Sequence, residues 1–244
     1  MKYNEKEFLI DGGYQHLALT RGFYIQRNWH ENKLNLLFYL KLINKNKLVD
    51  IGSGSGCLLA KYSSYFTTLF GIDNRPHAIQ YAKKLLKNRK NIFFKLTDLL
   101  KVSSNNENIV ADLLVCMEVI EHFTLDDLQN KVFKNIKTYM NQDSYLIITT
   151  PNRESIWPLL EFILDKLKLT PPMINEQHQH IFNKVELLQL LKLNGFKIVK
   201  TGTFNHLSPY IPFQWISKVV CAFEVKYLKT LGPLIYTVVK LQDV

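Results

Sequence analysis

Leu48-Val49-Asp50-Ile51-Gly52-Ser53-Gly54-Ser55-Gly56-Cys57-Leu58-Leu59 decides how this chain is read. An apolar strand runs into a turn that holds three of the chain's ten glycines, and a helical stretch comes next. Glycine there permits dihedrals that side chains forbid and lets a ligand approach the backbone closely, while a turn holding nothing would cost stability without return. The helix behind the turn presents N–H groups with no partner inside the helix. Three loop types share this outline. A P-loop ends in Lys followed by Ser or Thr, and Cys57-Leu58 stands there instead. A dinucleotide loop is spaced G-x-G-x-x-G, so its third glycine would fall at Cys57. The spacing here is Asp-x-Gly-x-Gly-x-Gly. Asp50 beside the loop would repel a pyrophosphate and attract an ammonium or sulfonium. The loop therefore suits a cationic ligand without phosphate.

Strand and helix alternate outward from this stretch. The patterning predicts strands over 47–51, 67–72, 91–96, 111–117, 144–149 and 196–203, with a last one over 235–240. Helices are expected over 23–43, 57–65, 76–88, 125–140 and 184–193. Pro76 suits a first helical turn, Asp126 and Asp127 favour a helix N-terminus, and Asn194-Gly195 closes a helix. The run from Leu113 to Met117 is apolar on both faces, which places that strand centrally. The whole reads as an α/β fold with a doubly wound, mostly parallel seven-stranded sheet behind an N-terminal helical segment. One domain is expected over 1–244, with its core at about 45–203. Residues 152–182 form a long connector, with a helical piece over 158–167 and a Pro171-Pro172 break, and read as a helical cap or lid. Residues 207–244 read as a C-terminal segment on the substrate side.

Composition sets limits. The chain has 244 residues, 47% hydrophobic and 21% charged, enough for a sizeable core and too apolar for disorder. Lys+Arg number 31 against 21 Asp+Glu, a net charge of +10. The adjacent basic pairs are Lys83-Lys84 and Arg89-Lys90, so the charge reads as dispersed over the surface, with RNA or an anionic membrane as the alternative partner. Cys57, Cys116 and Cys221 are too few and scattered for a disulfide framework or a cysteine zinc site, and a reducing cytoplasm fits them. No signal peptide is legible, and no run reaches the roughly 18 apolar residues of a membrane span. The most apolar region, 211–239, is interrupted by Lys218, Glu224, Lys226 and Lys229. It suits contact with a membrane surface, not a crossing. Within it Trp215, Val219 and Phe223 recur every four residues on one helical face. That face reads as core packing against the sheet, with a substrate pocket or lipid contact as the other readings.

The ends of the strands complete a pattern. Gly71-Ile72-Asp73 ends the second, Thr97-Asp98-Leu99 comes after the third, and Cys116-Met117-Glu118-Val119-Ile120-Glu121-His122 ends the fourth. With the glycine loop, over about residues 45–203, this resembles the class I S-adenosylmethionine-dependent methyltransferases. The resemblance implies S-adenosylmethionine as cofactor, held by Asp50, Gly52, Ser53, Gly54 and Gly56 at the loop. It implies Asp73, next to Asn74, on the two ribose hydroxyls, which two carboxylate oxygens can accept. Asp98 and Leu99 would lie at the adenine, and Met117 and Glu118 would face the cofactor. Asp73 could also cap the helix from Pro76. Cys116 reads as inert core.

Methyl transfer from a sulfonium is an in-line displacement for which the protein supplies proximity, orientation and a dry site. A base is needed only where the acceptor arrives protonated. Glu121 and His122 are the catalytic candidates, and His122, with an ordinary pKa of ~6.5, suits an oxygen nucleophile. Its other reading is to orient the helix after it. Met-Glu-Val-Ile stands where amino methyltransferases of adenine or glutamine amides carry Asn/Asp-Pro-Pro-Tyr and cytosine C5 enzymes carry Pro-Cys. The pattern resembles instead the ubiquinone-pathway O-methyltransferases, as do Ile147-Ile148-Thr149-Thr150-Pro151-Asn152 and His178-Gln179-His180-Ile181-Phe182. O-methylation of a small or lipid-like acceptor is the expectation, with no metal assigned. Glu118-x-x-Glu121-His122 with His178 or His180 also resembles the metal site of small-RNA 2′-O-methyltransferases, which makes RNA methylation the first alternative. A cofactor-binding module without catalysis is the second. The expected setting is cytoplasmic, with peripheral membrane contact as an added reading.

Overall fold

A computed structural model describes residues 12–43, 46–101, 109–155 and 178–242. Seven strands form one sheet: β1 (Lys47–Ile51), β2 (Thr68–Asp73), β3 (Ile92–Leu96), β4 (Leu113–Met117), β5 (Tyr145–Pro151), β6 (Phe196–Phe204) and β7 (Leu234–Leu241). Their order is β3-β2-β1-β4-β5-β7-β6. Strands β1 to β5 pair in parallel, and β7 runs antiparallel between β5 and β6. The strand order reverses between β1 and β4, and in such sheets ligands bind at the carboxyl ends beside that switch. The glycine loop and the Glu118–His122 stretch both leave the sheet there.

Apolar side chains fill both faces of the sheet. One layer holds Val49, Cys116, Phe133, Leu187 and Phe196; the other holds Leu37, Leu48, Tyr62, Val115 and Tyr236. The α1 helix (Tyr14–Arg21) precedes the sheet, and the single helix expected over 23–43 is two: α2 (Tyr24–Leu34) and α3 (Leu36–Leu40). Lys41, at φ 58, ends the second. α4 (Cys57–Tyr62) stops short of its expected end, and α5 (Pro76–Leu85) opens on proline as read. The expected helix over 125–140 is also interrupted. Thr124 caps α6 (Leu125–Asp127) by accepting from the Asp127 N–H at 3.1 Å, a π turn spans Leu128–Val132, and α7 (Phe133–Lys137) comes next. α8 (Lys184–Leu193) is capped by Asn183, whose side chain accepts from the Glu186 N–H at 2.9 Å. The cap helix read at 158–167 lies outside the described residues.

Phe204, the end of β6, pairs with Leu234, the start of β7, so both ends of residues 205–233 lie at the carboxyl edge of the parallel strands. Asn152 ties this insertion to the end of β5, its N–H donating to the Pro233 carbonyl and its side chain to that of Gly232, both at 2.9 Å. The insertion carries α9 (Gln214–Tyr227). Here the core-packing reading of the aromatic stripe fails: Trp215, Val219 and Phe223 are 70%, 63% and 55% exposed. The face turned inward carries Ser217, Cys221, Glu224 and Val225. Its polar groups decide the orientation. Glu224 accepts from the His206, Leu207 and Ser208 N–H groups and from the Ser208 hydroxyl at 2.8–3.1 Å. Asn32 donates to the Ser217 hydroxyl at 3.2 Å. Among the described residues no helix is long and apolar enough to cross a membrane.

Candidate active site

The glycine loop is shaped by what crowds it on one side and leaves it open on the other. Gly52 sits at φ +73, and a Cβ there would meet Val119 Cγ2 at 2.3 Å. The Gly52 and Ser53 N–H groups both donate to the Ile72 carbonyl, at 2.7 and 3.0 Å, which pins the loop to the end of β2. At Gly54 (φ +50) the nearest neighbour of a Cβ among the described residues would be an Arg75 nitrogen at 3.7 Å, so the loop is open to them there. Ser53 Oγ is buried with no hydrogen-bond partner among the described residues. Open backbone beside an orphaned hydroxyl fits a ligand that brings its own polar groups.

Carboxylates surround this opening. Asp50, buried at the end of β1, has its carboxyl raised by burial and by nearby Asp73, against the pull of Lys33. Asp73 is also buried. Its Oδ2 accepts from the Gly54 N–H at 2.9 Å, and its Oδ1 accepts from the Arg75 N–H at 2.9 Å and Arg75 Nε at 3.2 Å. Asp73 thus braces the loop and does not cap α5, whose N-cap residue is Arg75. Asn74 is exposed. Asp98 accepts from the Leu100 N–H at 3.0 Å and lies 3.6 Å from Lys101, beside buried Leu99. Burial pushes the Cys116 thiol up, as a core cysteine requires.

Met117 ends β4 half-buried, and Glu118 beyond it turns at φ 54, unusual for a residue with a Cβ. Its N–H donates to the Thr149 carbonyl, and its carboxylate is ion-paired with Lys33 of α2. Lys33 is buried, and sequence reading missed it: a lysine on a helix reads as solvated, and only the fold lays α2 over the end of β4. Glu121 lies in a single turn of 3-10 helix, Ile120–His122, fully buried. Its Oε2 accepts from the Thr150 hydroxyl at 3.1 Å, and its Oε1 has no side-chain hydrogen-bond partner among the described residues. Burial, then the charge of Glu118, pushes its carboxyl up to about 8.

The Glu121 carbonyl accepts from the Gln179 and His180 N–H groups, at 2.8 and 3.1 Å, and so fixes the histidine segment beside β4. The His122 and His178 rings lie 5.2 Å apart. Glu121, His122 and His178 each offer a ligand atom, all within 4.8 Å of one another. Of the five candidate ligands the sequence suggested, Glu118 is engaged by Lys33. His180 is drawn away: its Nε2 is hydrogen-bonded to Glu186 Oε1 at 2.7 Å. Among the described residues, His178 is the one that joins Glu121 and His122.

A family model described as a methyltransferase domain matches residues 24–201, well over half of the chain. The ubiquinone biosynthesis O-methyltransferase of Glaesserella parasuis serovar 5 (strain SH0165) is 25% identical over 181 residues, covering 70% of this chain and 73% of that protein. The crystal structure of the N-methyltransferase NodS from Bradyrhizobium japonicum WM9, in complex with S-adenosyl-L-homocysteine, superposes with a TM-score of 0.61 at 13% identity, covering 98% of each chain. That of the small RNA methyltransferase HEN1 gives 0.61 at 20% identity, covering 87% of this chain and 25% of its own. The last two are likenesses of fold.

Proposed function

The chain belongs to the class I S-adenosylmethionine-dependent methyltransferases, and on that premise we propose that it O-methylates a small or lipid-like acceptor. The observation that carries the cofactor is the open glycine loop braced by Asp73, with Ser53 Oγ waiting beside it. The acceptor class is supported by the likeness to the ubiquinone-pathway O-methyltransferase.

Bound S-adenosylmethionine supplies a methyl group already activated for displacement. The chain's own residues hold and orient. Asp73 offers two oxygens to a pair of hydroxyls, and Asp98 with Leu99 marks the far end of the cradle beyond β3. Asp50 and Glu118, at the ends of β1 and β4, serve as acceptors for a cationic group. An arriving cation favours the charged form of Asp50 against burial. With its carboxyl pushed up to about 8, Glu121 is suited at neutral pH to donating to or orienting an acceptor. Exposed His122, beside His178, is the group that takes a proton from an acceptor hydroxyl in this reading. The chain is read as one domain in which the C-terminal segment from 207 borders the acceptor; the cap read at 152–182 lies largely outside the described residues. The free, buried cysteines agree with a cytoplasmic setting.

The test is calorimetric titration of S-adenosylmethionine into wild type and Asp73→Ala, followed by an acceptor screen with labelled methyl. Binding that the variant loses supports the reading; no binding by wild type ends it. Binding without turnover on any acceptor favours a non-catalytic module.

One observation favours a second reading. Glu121, His122 and His178 form a donor set of one carboxylate and two imidazoles that suits a divalent cation. Such an ion would polarise a ribose hydroxyl, the chemistry of metal-dependent RNA 2′-O-methylation. Dependence of turnover on added Mn²⁺, with RNA binding that weakens steeply in salt, would move the assignment there.

A further inference from the structure

The α9 helix is built inside out. Its outer crest carries Trp215, Val219, Phe223 and Lys226, flanked by exposed Phe213 and Tyr227, while its polar Ser217 and Glu224 are buried. Contiguous exposed aromatics on a helix mark an interaction surface. The charge around it says of what kind. Within α9 the sole carboxylate is Glu224, which is consumed inside. Lys226 on the crest and Lys229 just past the helix are exposed, while Lys218 on its flank is paired with Glu31. Lys226 Nζ rides over the Tyr227 ring, 4.8 Å from its centroid, which keeps an ammonium on the crest. Lys200 on β6 has its ammonium held below the usual lysine range by burial and then by Lys229 and Lys41, so a group of like charges gathers near the helix end.

We propose that α9 is a membrane-docking helix, lying in the interface of an anionic bilayer with Trp215, Val219 and Phe223 inserted and Lys226 and Lys229 on the headgroups. An apolar crest with Trp and Phe among lysines is the pattern of a helix that lies on, and does not cross, a bilayer. A second copy of the chain is the poorer occupant: a two-fold contact through this crest would set Lys226 and its neighbours against one another. Position adds to the case. α9 hangs from the carboxyl edge of the sheet, and Lys218 pairs with Glu31 at 3.0 Å, two residues before the Lys33 that holds Glu118. The docked face and the acceptor side therefore share one edge. The inference deepens the lipid-like acceptor reading, but stands on the geometry of α9 itself.

The experiment is co-sedimentation of the full chain with phosphatidylcholine vesicles, with and without phosphatidylglycerol, at low and high salt. The wild type is expected to pellet with the anionic vesicles alone and less so in salt. Lys226→Gln removes one charge and should weaken binding about fivefold. The pair Trp215→Ser and Phe223→Ser should abolish pelleting while leaving S-adenosylmethionine binding unchanged by calorimetry, which shows that the variant is folded. No vesicle binding by wild type overturns the inference, as does binding indifferent to these substitutions. A dimer in sedimentation velocity that the double variant abolishes, with no vesicle binding, gives the crest to a second copy and overturns it too. Vesicle binding without methylation of any lipid-like acceptor would leave docking standing and sink the acceptor reading. Turnover in solution without pelleting would do the reverse.

Discussion

Glu121 is a buried carboxyl beside another acid, and its replacement by glutamine tests how the site is charged. Moving a carboxyl from its ordinary 4.5 to about 8 disfavours its charged form in the fold by about 5 kcal/mol. The folded chain keeps this proton where the unfolded chain has released it. Wild-type stability therefore falls as pH rises from 4.5, and the fall ends once pH passes about 8. By pH 7 about 3 kcal/mol of the loss is already present. A glutamine side chain has the same shape, can still accept from Thr150, and carries no titrating proton. Urea denaturation of both proteins at pH 5, 6, 7 and 8 in EDTA isolates the effect, because groups not coupled to Glu121 cancel in the difference. The Glu121→Gln protein should gain about 3 kcal/mol on wild type between pH 5 and pH 8. Parallel stability curves would refute the reasoning and mean that Glu121 is charged at neutral pH. Repeating the series with Mn²⁺ extends the test: an ion held by Glu121, His122 and His178 would stabilise the charged form and favour wild type as pH rises.

Asp73→Ala removes the acceptor of the Gly54 and Arg75 N–H groups as well as the proposed hydroxyl contacts. S-adenosylmethionine affinity should fall about a hundredfold by calorimetry, from two charge-assisted hydrogen bonds, with Asp73→Asn losing less. Gly52→Ala places a methyl 2.3 Å from Val119 at a positive φ; strain of about 1–2 kcal/mol and a shifted loop should cut cofactor binding more than tenfold while circular dichroism is unchanged. Lys33→Met leaves Glu118 without its cation in a site only a quarter exposed, and should lower thermal stability by about 2 kcal/mol, most of it restored in the double variant with Glu118→Gln.

The cofactor side of the fold is legible in the sequence because its signals are local. A glycine turn after an apolar strand, and an acidic residue after each of the next strands, need no knowledge of distant packing. Asp73 shows where that stops: sequence does not choose between helix cap and ligand contact, and the carboxylate turns out to brace the glycine loop. Lys33 is invisible because its meaning comes from Glu118, 85 residues away. His178 and His180 look alike in sequence, and they part only because Glu186 on α8 captures the second. α9 misleads for a different reason. A hydrophobic stripe reads as a buried face, but Glu224 and Ser217 have partners inside and those partners set which side turns in. The two broken helices escape notice because periodicity continues through a π turn or a one-residue offset.

The four donors around Glu224 have one more effect, felt at the bench. A helix with a greasy outer crest would ordinarily lower its free energy by rolling over. Rolling α9 would strip a buried carboxylate of three backbone N–H groups and a hydroxyl at once, so the roll is blocked. α9 therefore cannot conceal its aromatic crest by turning over. The chain's solubility is then set from outside: concentrated samples should cloud without detergent or lipid, and clear when either is supplied.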